Sequence, residues 1–267
     1  MARRRLLTGD ERRRLFDPPV QETAIIGHYT LSAEDVELVG RRYGPANRLG
    51  LAAQIALMRH PGFGLQPEIG LPDVILQYLA AQLFVDPSSF SAYGQRAQTR
   101  TDHADLVARY LGIRPFRRGD LALALNLAAQ AAEYTDRGEP IVRALMVGLK
   151  GERFILPSGD TLERAGLAGR ARARKAAAAA IVEGLSSAEL TRLDELVINN
   201  PDFGMTPLAW LRNFEEAPTA ANINGLLERL RYVRGIGIHP VVGGAIPEFR
   251  FAQFVREGGV CLLYTSD

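Results

Sequence analysis

The sequence predicts an all-α protein, a multi-helical array with helix-turn-helix-like subdomains, and three observations carry that prediction. Apolar residues recur at helical spacing (Ile75, Leu76, Leu79 and Leu83 share one face), almost nothing alternates with period two, and capping signatures precede apolar runs. Thr8-Gly9-Asp10-Glu11 is a capping box in which Thr8 and Glu11 satisfy each other's exposed backbone donors. The helix it starts must end before Pro18 and Pro19. Ser32 with Asp35 repeats the device and starts a helix to about Arg42. Tyr43-Gly44-Pro45-Ala46 is a tight break, and the next helix is expected from about Asn47 to Arg59, closed by Pro61 and Gly62. Pro72 opens the helix carrying Ile75 to Leu83, and further helices fit about 101–111, 121–134 and 141–150. Arg153 to Leu156 reads as a short extended piece before Pro157. Asp160 with Glu163 is expected to cap a long Ala-rich helix reaching about Leu185, and two or three more helices follow to Arg234. The breaks at 61–70 and at Pro157 suggest subdomains at 1–67, 68–157 and 158–259.

Composition narrows the function classes. Hydrophobic content of 47% with 23% charge is ordinary for a globular protein. No apolar run approaches the roughly 18 residues needed to span a bilayer. The basic start lacks the apolar stretch of a secretory signal, so no membrane partner and a cytoplasmic location are expected. The four His (28, 60, 103, 239) lack metal-ligand spacing, there is a single Cys, and no P-loop or nucleophile elbow is present. No catalytic residue, metal or cofactor is therefore expected within this chain.

The cations say more than the net charge of +2, because all but Lys150 and Lys175 of the 32 are Arg. A guanidinium fork suits phosphate and guanine edges, while a GC-rich genome produces the same bias. Arg3, Arg4, Arg5, Arg12, Arg13 and Arg14 stand against Asp10 and Glu11 only. Such an arm can hold phosphates or enter a minor groove, or simply solubilise a terminus.

The segment 28–63 reads as helix, tight turn, helix, an arrangement that lets a second helix enter a major groove. Asn47 and Gln54 share a face with Arg48 at the same end, and these residue types pair with adenine and guanine. Against this, the second helix is apolar nearly all round, as buried helices are.

The run Arg42-Tyr43-Gly44-Pro45-Ala46-Asn47-Arg48-Leu49-Gly50, followed by Leu57-Met58-Arg59-His60-Pro61-Gly62, resembles the N-terminal region of Tn-3 family transposases. The opening Arg3-Arg4-x-Leu6-Leu7-Thr8-x-x-Glu11-Arg12 is similar to the family's usual start, and Tyr93-x-x-Arg96-x-x-Thr99-Arg100-x-x-His103 matches a second block. Leu208-Ala209-Trp210-Leu211-Arg212, Leu230-Arg231 and Arg256-Glu257-Gly258 extend the resemblance over about residues 1–259. What it implies is replicative transposition, with helical N-terminal domains binding the terminal inverted repeats as double-stranded DNA. A downstream RNase H-like domain with magnesium performs the strand chemistry, and the full-length protein is expected to act as a homodimer. On that basis 1–67 and 68–157 are expected to bind DNA and 158–259 to connect to downstream domains. The residues assigned to DNA are Arg3, Arg4, Arg5, Arg41, Arg42, Asn47, Arg48, Gln54, Arg96, Thr99, Arg100 and His103. For Thr99 a capping role, and for Tyr93 a core role, stand beside the functional one. The alternatives are a helical dimerisation or assembly region and a freestanding helix-turn-helix regulator. Residues 260–267 are expected to be foreign, since Cys261 to Asp267 back-translates to a transposon-end adapter used in sequencing libraries.

Overall fold

The computed structural model describes residues 5–65, 71–95, 97–213 and 220–237. Helices dominate them, and the all-α expectation holds: the described strands are two residues long. The chain forms two compact units, one of residues 1–132 and 136–170, the other of 133–135 and 171–267.

In the first unit, α1 (Gly9–Phe16) carries the expected Thr8–Glu11 capping box and stops before Pro18. Next comes α2 (Glu22–Tyr29), which the sequence did not announce: it has no side-chain cap, so its Ile25 and Tyr29 hold it by burial. The Ser32–Asp35 box opens α3 (Ala33–Gly40), and α4 (Pro45–Arg59) starts directly on Pro45. Pro72 precedes α5 (Asp73–Leu83). A 3₁₀ turn at Pro87–Ala92 leads to α6 (Ala97–Leu111), which begins four residues earlier than its sequence signal at Thr101. Then follow α7 (Leu121–Tyr134), α8 (Gly138–Gly151) and the start of α9 (Gly159–Glu183).

The core of this unit is built around α4. Every residue from Leu49 to Met58 is buried, and α2, α3, α5, α6 and the 3₁₀ turn pack on that helix. Helices on both sides of the Gly/Pro-rich stretch share this core, from Ile25 to Val107. The extended piece appears as β2 (Phe154–Ile155), paired in parallel with β1 (Arg114–Pro115), Arg114 opposite Phe154. The expected Asp160–Glu163 cap is replaced: the Thr161 N–H donates to Ser158 Oγ at 3.4 Å. Both carboxylates instead receive Arg12, at 3.0 Å for Asp160 and in a closer pair with the nearly buried Glu163. That latch fixes α1 to α9, and Leu6 and Leu7 are buried beside it, Leu6 against Gly138 and Gly166.

The second unit contains α10 (Ser187–Glu195), opened by a Ser186–Glu189 capping box, α11 (Pro207–Arg212) and α12 (Ala220–Ile236). Its aromatic centre is Phe203 stacked on Trp210 at 4.5 Å with Tyr232 edge-on to both, and Arg229 lies 5.0 Å over the indole.

Candidate nucleic-acid interface

The α3–α4 corner exposes what the body of α4 hides. Gly44 has φ +81°, in the region that favours glycine, and so lets the chain reverse between the two helices. Pro45 then supplies the first helical residue without wasting a donor. Tyr43 is 95% exposed at the apex. The Asn47 amide donates to the Tyr43 carbonyl at 3.0 Å, and Arg48 Nε donates to the Arg42 carbonyl at 2.9 Å. Arg41 pairs with Glu37 one turn back. The first turn of α4 contains no acid, so its exposed N–H groups and Arg48 leave this end electropositive. From Leu49 to Met58 the helix is interior, so its N-terminal end is the part that presents polar side chains ahead of the core.

Four of the expected contact residues lie deeper. Gln54 is 2% exposed, and its amide donates to Tyr93 Oη at 3.2 Å and to the Arg100 carbonyl at 3.0 Å. The reading that put Gln54 on a solvent face with Asn47 is therefore corrected: the α5–turn–α6 segment covers that face. His103 is also buried, with Nδ1 3.1 Å from Tyr93 Oη and its ring stacked on the tyrosine. Burial, aided by the positive charge of Arg42, lowers the His103 pKa. Arg100 is half-buried, its guanidinium folded back onto the Gly94 carbonyl at 2.5 Å, and Thr99 beside it is also half-buried. A Cβ on Gly50 would stand 2.1 Å from Tyr93 Cδ2, so α4 and Tyr93 touch as closely as glycine permits. The two sequence blocks that carried the resemblance thus meet as one interior lock. Arg3, Arg4 and Arg96 lie outside the described residues, as does the 260–267 tail, and Arg5 is exposed just ahead of the buried Leu6.

Beneath the corner, α3 is tied to α4 and α6 through one carboxylate. Asp35 is fully buried, receives both Arg59 nitrogens (2.6 Å from Nη2) and accepts the Tyr110 hydroxyl at 2.8 Å. Burial acts to raise its pKa, but the bonds from Arg59, the Ser32 N–H and Tyr110 outweigh it and hold the carboxyl below its usual value. At the far end of α4, His60 stacks face to face on His28 at 3.7 Å. Burial first, then the charges of His28 and Lys150, push His60 down to about 4.

A basic edge escaped the sequence reading. Arg114 lies 3.7 Å over the Phe154 ring and bonds Asp120, and the turn after β1 presents Arg117 and Arg118 to solvent. The Arg117-Arg118 doublet in a loop was the available signal. Among the described residues no group of three His, Cys, Asp or Glu could hold a metal ion, and no helix is long and apolar enough to cross a membrane.

A family model described as "Domain of unknown function (DUF4158)" matches residues 6–168. The chain is 33% identical over 259 residues to the transposase for transposon Tn501 of Pseudomonas aeruginosa, covering 97% of this chain and 26% of that protein. Against the transposase for transposon Tn21 of Escherichia coli it is 33% identical over 260 residues, with the same shares covered. The transposase for transposon Tn1546 of Enterococcus faecium is 28% identical over 257 residues, 96% of this chain and 26% of the relative. The chain thus spans about a quarter of the length of these relatives. With more than half of its residues inside the family match and nearly all of them aligned to transposases, the chain belongs to the DUF4158 family and corresponds to the N-terminal region of Tn-3 family transposases.

Proposed function

We propose that this chain is the DNA-recognition part of a cytoplasmic transposase, binding double-stranded DNA at the terminal inverted repeats of its transposon. The observation that carries the reading is the α3–α4 corner, a rigid, acid-free helix start with Arg48, Asn47 and Tyr43 at the surface. In helix-turn-helix readers the N-terminal residues of the second helix contact base edges, and here they lie ahead of the stretch of α4 that is buried. Arg48 is suited to guanine or phosphate, Asn47 to adenine, with Arg41, Arg42 and the arm at Arg5 supplying further backbone contacts. Arg3, Arg4 and Arg96 keep that assignment through the family resemblance. Gln54, Thr99, Arg100 and His103 act indirectly, holding α4 against α6 so that its end keeps one orientation. The magnesium-dependent strand chemistry belongs to the remaining three quarters of such a protein.

One observation favours assembly as a second role. Ile223, Leu226, Leu227, Leu230 and Val233 of α12 are exposed among the described residues, at the spacing of a helix-pairing seam that a second copy of the chain fits.

A binding titration of the chain against inverted-repeat DNA and a scrambled duplex tests the proposal, with Asn47→Ala/Arg48→Ala as the variant. The parent is expected to prefer the repeat, and the folded variant to lose that preference at about 1–3 kcal/mol per lost base contact. Equal affinity of the parent for both duplexes removes sequence recognition. Unaltered DNA binding by the variant together with lost self-association in sedimentation moves the role to assembly.

A further inference from the structure

The turn between β1 and α7 and the first turns of α9 enclose an open groove of about 700 Å³. Its floor is apolar (Phe116, Leu121, Leu125), and its rim carries the guanidiniums of Arg117, Arg118 and Arg164. All three arginines are exposed, and none forms an ion pair among the described residues. The acids nearest in sequence are already engaged, Asp120 by Arg114 and the Arg117 N–H, Asp160 and Glu163 by Arg12. An apolar floor suits long arginine stems, and the Arg164 guanidinium is held in place by donating to the Asp160 carbonyl at 3.2 Å and to Thr161 Oγ1 at 3.3 Å. The turn is stiffened from below by the Phe116–Phe154 edge contact at 5.7 Å and by Arg114 on the same ring. Ser158 and Thr161 add hydroxyls, and both α7 and α9 begin here, so their positive ends reinforce the arginines.

We propose that Arg117, Arg118 and Arg164 form a second, sequence-independent contact with the phosphates of duplex DNA, built from elements other than the α3–α4 corner. This rests on the reading of the chain as a DNA-binding protein. Arginine and hydroxyl groups at helix starts are the donors that position proteins on a DNA backbone without reading bases. Each phosphate they neutralise releases counterions, which gives the groove a signature distinct from that of Asn47 and Arg48.

The test is fluorescence anisotropy of the 267-residue chain with a labelled 30-base-pair duplex of arbitrary sequence, between about 50 and 200 mM NaCl. Arg117→Ala/Arg118→Ala/Arg164→Ala is expected to bind at least about tenfold more weakly and to lose about 2–3 units of salt slope, at roughly 0.9 per phosphate. The corresponding triple Lys variant is expected to keep the slope, and the melting temperature to stay that of the parent because the three side chains are exposed. If the parent binds and the Ala variant matches it in affinity and slope, the groove is not a DNA contact, while the corner reading stands. Displacement of the parent's DNA by polyglutamate, lost in the Ala variant while duplex affinity is kept, assigns the groove to an acidic polypeptide and overturns the proposal. A parent that binds neither this duplex nor the inverted repeat even at the lowest salt overturns both readings.

Discussion

A methyl group at position 50 has nowhere to go. The Tyr93 ring it would meet at 2.1 Å cannot swing aside, because its hydroxyl is held by Gln54 and by His103. Alanine is about 1 kcal/mol better than glycine inside a helix, yet overpacking a fixed contact costs about 1–3 kcal/mol, so the clash wins. Gly50→Ala is expected to lower the melting temperature by several degrees, and an unchanged or raised value would show that Tyr93 is free to move. Two other side chains give the protein separate acid sensitivities. The depressed His60 takes up its proton in the unfolded chain first, so stability falls as pH drops from about 6.5, the unfolded value, to about 4 and then levels. Asp35 is lowered as well, in a more acidic window: its contribution is complete above the ordinary carboxylate range and is lost as pH falls through its lower folded value. Urea unfolding at a series of pH values should therefore show two windows, and His60→Gln should flatten only the upper one.

Helix α4 shows how far the sequence reaches. The Ser32–Asp35 box, the break at Gly44-Pro45 and the apolar circumference were all legible, and the last of these already argued for burial. What could not be read was which polar residue on that circumference is covered, because Gln54 is enclosed by Tyr93 and Arg100, 39 and 46 residues away. The same limit hid α2, whose helix depends on burying Ile25 and Tyr29 and not on a local cap. Thr101 misled in a different way: its hydroxyl bonds back to the Ala97 carbonyl at 3.3 Å, inside the helix it was expected to start. Asn47 and Arg48 contact little of the core, so their alanine variants should unfold within about 0.5 kcal/mol of the parent. That near-neutrality makes a loss of DNA binding interpretable, and a large stability loss would disqualify the pair as a probe of recognition.

The boundary of the first unit at Arg170 falls two residues beyond the end of the family match at 168. The core around α4, the β1–β2 pairing and the Arg12 latch on α9 all close before that point. A protein of residues 1–170 is therefore expected to unfold cooperatively and to retain the affinity for arbitrary duplex DNA that the parent shows. Calorimetry and anisotropy check this together; a broad, non-cooperative transition would mean that the first unit needs residues of the second.

The latch also sets an order of events during synthesis. Arg12 and Glu163 are 151 residues apart in the chain, and translation at roughly 5–20 residues per second needs about 8–30 s to make the second after the first. The helices around α4 can pack well within that interval, whereas α1 has no carboxylate on α9 to join. Helix α1 thus completes its docking only after the helices around α4 have been made, and throughout the delay Arg12 stays unlatched on the nascent chain.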